Sequence, residues 1–282
     1  NTTANHNTAI GKSALTDNTT GAQNVAIGNF SLFDNTTANN NTGIGYNTLA
    51  STTTGTQNTA VGSLALDNNL TAANNTGIGY DALGANTTGA KNTAVGSFAL
   101  NLNTTGKENT AFGVDCLESN TTGNFNNAQG HKAMEFNTTG SSNTGIGDFA
   151  LRQNTTGQYN TADGHLSLDA CTTGDTNTGV GYASLSASTT GTANTAVGSA
   201  AGSLITTGNN NTALGRSALL NCSTGNANTA IGDRALDALT TASNNCAIGQ
   251  HSLGACTTGG ANVGVGHDTL AALTDGDDCT AV

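Results

Sequence analysis

His131 and His165 are, by residue type, the side chains best equipped in this chain to hold a metal ion or move a proton. Each lies two residues after a polar group, Gln129 or Asp163. The acidic run "DGDD" (275–278) offers carboxylates to a calcium ion, but it lacks the ligand spacing of an EF-hand loop. Six cysteines (Cys116, Cys171, Cys222, Cys246, Cys256 and Cys279) raise disulfide chemistry for a secreted protein. Asn18, Asn35, Asn69, Asn86, Asn103, Asn120, Asn137 and Asn154 each begin an Asn-x-Thr sequon, the acceptor pattern for N-glycosylation. No Ser, Thr or Cys stands out as a nucleophile with its own base, so the pattern points away from an enzyme.

Which of these groups meet depends on a repeat. Asn recurs every 17 residues from Asn7 to Asn262 without an insertion. Sixteen units cover residues 7–278, with a partial unit at 1–6 and another at 279–282. The repeat is cut at both ends, which is expected of an excerpt from a longer protein. Counting the Asn as position one, the consensus is N-T-A-I/V-G-x-x-A/S-L-x-x-N-T-T-G-x-x. Strict register without insertions is the mark of a β-solenoid, in which each residue stacks on its counterpart about 4.8 Å away. Helical repeats fit poorly, because Gly at positions five and fifteen would each cost a helix roughly 1 kcal/mol. The expected fold is all-β: a parallel β-solenoid, or β-roll, of about 16 coils of 17 residues, running as one continuous domain over residues 1–282. "NTAIG" reads as a strand ending at a Gly corner, and "ALxxNTTG" as a second strand and corner.

Strand alternation puts positions one, three and five on one face and two and four on the other. Asn, Ala/Gly and Gly make the first face small. The Leu column at position nine, beginning Leu15, Leu32 and Leu49, is expected to pack against it as the core. The position-four column (Ile10, Ile27, Ile44, Val61, Ile78 and Val95 in the first coils) has two readings. It shares the thin core, with Gln129 and Asp163 as local defects, or it is an outward seam against another protomer. The second reading predicts a homo-oligomer or filament, because one thin core per coil leaves the ordering of 17 residues poorly compensated.

The stacking also limits the chemistry. Cys171, Cys222 and Cys256 share position twelve, three and two coils apart, so roughly 14 and 10 Å separate them, beyond disulfide reach. Cys246 and Cys256 share a coil and are the candidate bridge; the alternative is cysteine as a small buried residue. His131 and His165 share position six, roughly 10 Å apart, too far to hold one ion directly. They read as solvated corner residues, and no metal or cofactor site is expected. The eight sequons named above fall at position twelve. They read as a glycosylated stripe on the first half or as Asn chosen for turn geometry, and consecutive glycans would crowd at about 5 Å.

Composition narrows the partners. Charged residues are 9%, aromatics 4%, and the net charge is −11 with only seven Lys and Arg, which argues against a nucleic-acid partner. No run of about 18 apolar residues is present to span a membrane.

The "NTAIG", "NTAVG" and "NTGIG" motifs resemble the head repeats of YadA-like trimeric autotransporter adhesins. Over its whole length the chain is similar to the NTAxGxxALxxNTTG tandem-repeat surface proteins of environmental microbes and viruses, which share the "NTTG" corner. The adhesin resemblance implies a left-handed parallel β-roll, a trimer and a role in attachment. Together these set the expected function: a structural extracellular fibre, stalk or adhesin-head segment on a cell or virion surface, self-associating and in contact with glycans or a host surface. The alternative is a binding surface for a repetitive ligand, ice or polysaccharide, built on the Thr columns at positions thirteen and fourteen.

Overall fold

The computed structural model describes residues 4–282, so residues 1–3 of the partial coil 1–6 lie outside the described residues. Among the described residues the chain is all-β: 17 short parallel strands, one per coil, form a β-solenoid of about 16 turns. It divides into two compact units, Asn1–Ser141 and Ser142–Val282. The first holds β1 (Thr8–Ile10) to β8 (Asn127–Gln129), and the second β9 (Thr144–Ile146) to β17 (Thr280–Ala281). Inside each unit successive strands pair in register, each residue with the one 17 positions on, as Thr42↔Thr59 and Thr178↔Thr195 show.

Only positions two to four form a strand. The expected second strand in "ALxxNTTG" is absent; positions six to eleven are turns. The reason lies in the backbone. Positions seven, nine and seventeen carry φ near +55° in residues that are not glycine, such as Asn47 (φ 56), Leu49 (φ 50) and Gln57 (φ 60). A left-handed residue reverses the direction of its peptide group, so successive N–H groups point to opposite neighbours in the stack. The Asn47 N–H reaches back to Asn29 O (2.9 Å), and the Leu49 N–H reaches forward to Ala65 O (3.1 Å). Turn residues are thus laddered as strand residues are, and few main-chain groups of a coil go unpaired. Each such residue costs on the order of 1 kcal/mol, which its ladder bond offsets, helped at position nine by burial of the Leu side chain.

The core is as narrow as the composition implies. Leu32, Leu49, Leu66, Leu83, Leu100, Leu117 and Met134 are fully buried in the first unit, packed against the Ala column at position three. Each such burial contributes about 1.5–3 kcal/mol. Gly202 is the one glycine in the Leu column. There Ile205, fully buried at position twelve, fills the space: a Cβ on Gly202 would lie 2.9 Å from Ile205 Cδ1. Glycine at position three has a related cause in three coils. Ser31 and Thr48 are bonded to each other inside the core (2.9 Å), and the Ser31 hydroxyl donates to Gly43 O (3.0 Å). A Cβ on Gly43 would sit 2.6 Å from Ser31 Oγ. Ser167 and Ser184 over Gly179, and Ser252 and Thr269 over Gly264, repeat the arrangement.

Position five must be glycine. Gly45 has φ +141, and a Cβ there would lie 2.5 Å from the carbonyl oxygen of Gly62 in the next coil.

Candidate functional site

Two amide columns hold the coils from inside. The position-one Asn accepts the next coil's N–H on Oδ1 and donates from Nδ2 to the position-fifteen carbonyl of its own coil. Asn92 Oδ1 accepts from Asn109 N–H at 2.9 Å, and Asn92 Nδ2 donates to Gly106 O at 2.8 Å. One side chain therefore closes its own coil and ties it to the next. The position-twelve Asn forms a second ladder. Asn86, Asn103, Asn120 and Asn137 each donate Nδ2 to the Oδ1 one coil back, at 2.8–2.9 Å. Each also donates to the carbonyl three residues on, as Asn103 does to Gly106 O at 3.1 Å.

This overturns the glycosylated stripe. Asn18, Asn35, Asn69, Asn86, Asn103, Asn120, Asn137 and Asn154 are all buried. The nitrogen that would carry a glycan is an interior donor, so the folded coil has no room for one. Turn geometry and the internal ladder account for these residues. In the second unit Cys171, Ser188, Ile205, Cys222, Leu239 and Cys256 occupy the same column, also buried. Cysteine reproduces part of the Asn contact there: Cys171 Sγ donates to Gly174 O at 3.6 Å.

The candidate Cys246–Cys256 bridge is not formed; both are free thiols. Cys246 is the first residue of its strand, with an outward side chain, whereas Cys256 points into the core and donates to Gly259 O at 3.5 Å. Burial pushes the Cys116 thiol up to about 12 and those of Cys171 and Cys222 up to about 11. These thiols are inert packing groups.

His131 and His165 are exposed corner residues. His165 lies 3.6 Å from Asp148 through Nδ1 and stacks on Tyr182 (5.8 Å between centroids, 12° between planes). His131 belongs to the other unit. The carboxylates of "DGDD" spread around a turn, with Asp277 accepting from Gly260 N–H at 2.7 Å. A shallow groove of about 580 Å³ in the second unit is lined by Asp237, His251, His267 and Asp268. Among the described residues no three His, Cys, Asp or Glu side chains gather as a metal would require.

What faces outward in regular order is the strand itself. The position-three Ala is buried and positions two and four point out, so the Ile/Val column leaves the core. Ile10, Ile44 and Ile78 are exposed, and Ile27, Val61 and Val95 are half-buried. Gln129 and Asp163 are exposed in the same column, so a polar side chain there meets water and needs no partner. The shared-core reading is thereby replaced by an outward column. Just past the Gly corner, position six alternates Tyr46, Ser63, Tyr80, Ser97, with both tyrosines about half exposed. The column-by-column reading missed this two-coil period. Its signal is present in the alternation of "GIGY" with "AVGS".

The chain matches no protein-family model and no curated protein.

Proposed function

We propose that this chain is a structural segment of an extracellular fibre, stalk or adhesin head, displayed on a cell or virion surface. The observation that carries the reading is that each coil's hydrogen bonds and core contacts lie with its sequence neighbours, so interior positions serve stacking and the outward columns are the freest to vary. The role is mechanical, and copies associate along the Ile10–Ile27–Ile44–Val61–Ile78–Val95 column, whose apolar side chains stand on a regular strand face. The motif resemblance to YadA-like adhesin heads and NTAxGxxALxxNTTG surface proteins supports the same reading. Single-molecule pulling tests it. Force should release whole coils, each adding about 60 Å of extended chain; smooth extension without discrete steps would contradict a load-bearing stack.

A second reading, a surface for a repetitive ligand, is favoured by the outward columns of like residues. Polysaccharide suits them better than ice. The position-fourteen threonines are exposed, but those at position thirteen turn their hydroxyls onto the backbone, as Thr36 does to Thr53 O (3.1 Å). An ice-recrystallisation assay should therefore show no inhibition.

A further inference from the structure

We propose that the Tyr46–Ser63–Tyr80–Ser97 column of the first unit binds a single extended β-1,4-linked polysaccharide chain, of the cellulose or chitin type, lying along the stack. The inference rests on the second reading above and names its ligand class. Tyr46 and Tyr80 are 53% and 48% exposed. Each is braced by a phenylalanine rather than left to swing. Phe30 meets Tyr46 edge to face at 6.4 Å between centroids, and Phe98 meets Tyr80 at 5.2 Å. Rings held in this way lose little freedom on binding.

The two tyrosines stand two coils apart, which sets them roughly 9–10 Å from each other along the stack. That is close to the length of two pyranose residues in an extended β-1,4 chain, in which alternate sugars present the same face. One sugar can lay its axial C–H bonds on Tyr46 and the next but one on Tyr80, each meeting the negative face of a ring. The sugar between them passes Ser63, whose short hydroxyl leaves room and offers a hydrogen bond. Each tyrosine is followed by a polar residue, Asn47 or Asp81, able to exchange hydrogen bonds with sugar hydroxyls. From Asn29 to Val114 the position-six column carries no charge, in a chain of net charge −11; a neutral ligand fits it. By itself the column is too small to seat a second protein copy. The column spans about four coils and one side chain in width, on the order of 100 Å², against about 800 Å² per partner in a stable complex.

The test is titration of the whole chain with cellohexaose and chitohexaose by calorimetry, with maltohexaose, whose α-linked chain curls, as the control. A β-linked hexasaccharide should bind, and maltohexaose should bind at least about tenfold more weakly. Tyr46→Ala and Tyr80→Ala should each weaken binding about tenfold, Tyr46→Phe should retain it, and Tyr159→Ala, outside the column, should leave it unchanged. Circular dichroism of the variants excludes misfolding, because both tyrosines are exposed. No binding of either β-linked hexasaccharide at millimolar concentration, equal binding of maltohexaose, or binding that survives Tyr46→Ala/Tyr80→Ala would overturn the proposal. So would a change of oligomeric state in that double variant, which would assign the rings to a second copy. None of these outcomes bears on the pulling experiment, so failure here and failure of the mechanical reading are separable.

Discussion

The position-one Asn does the work that separate caps and backbone bonds do elsewhere. Replacing Asn92 by Ala would strand the interior Asn109 N–H and take from the Gly106 carbonyl one of its two donors, Asn103 Nδ2 being the other. A buried group left unpaired costs about 1–3 kcal/mol, so a loss of about that size is expected by denaturant melting. Replacement by Asp should be no better, since it removes the donor and adds a buried charge. Asp67 carries the opposite message. Burial, reinforced by the nearby Asp81, lifts its carboxyl from 3.8 to about 6. The folded chain therefore takes up this proton before the unfolded chain does. Stability should rise as pH falls from about 7 to about 4 and be lowest above 6. Burial moves Glu118, Asp169 and Asp237 in the same direction. The Asp67→Asn variant should melt higher than wild type at pH 7 and show a flatter dependence between pH 4 and 7. Equal slopes would remove Asp67 as the cause.

At the scale of the coil, the Leu column and the narrow space behind it decide what is allowed. Gly202 and Ile205 have exchanged the usual large and small positions. Gly202→Leu alone should overpack the coil by about 1–3 kcal/mol. Adding Ile205→Ser, the residue one coil earlier in that column at Ser188, should recover most of the loss. Thermal melts of the single and double variants measure the coupling directly. The coil length, the parallel stacking, the buried Leu column and the invariant Gly corner were all legible in the sequence, because each follows from a 17-residue register that tolerates no slip. The second strand was misread because alternation at "ALxxNTTG" can come from left-handed turns, which have no letter of their own when Leu, Asn and Gln adopt them. The sequons stayed open between two readings for a related reason. Asn at position twelve satisfies a local motif, and only the side-chain direction shows that its amide points inward. Glycine at position three hid a correlation across the coil: Gly43 answers to Ser31 and Thr48, which single-column comparison does not reveal.

At the scale of the whole molecule, the interior serves stacking, and the proposed function rests on the outward columns. The Ile/Val column is the longest apolar one, and the fold itself is indifferent to charge there, as exposed Asp163 shows. That tolerance makes a clean variant available. Ile44→Asp/Ile78→Asp should fold and melt like wild type while losing the apolar surface through which copies are proposed to associate. Sedimentation velocity of the two proteins at tens of micromolar tests the claim most directly. The wild type should sediment as an oligomer and the double variant as a monomer; a monomeric wild type, or a variant that assembles as wild type does, would contradict a seam along this column.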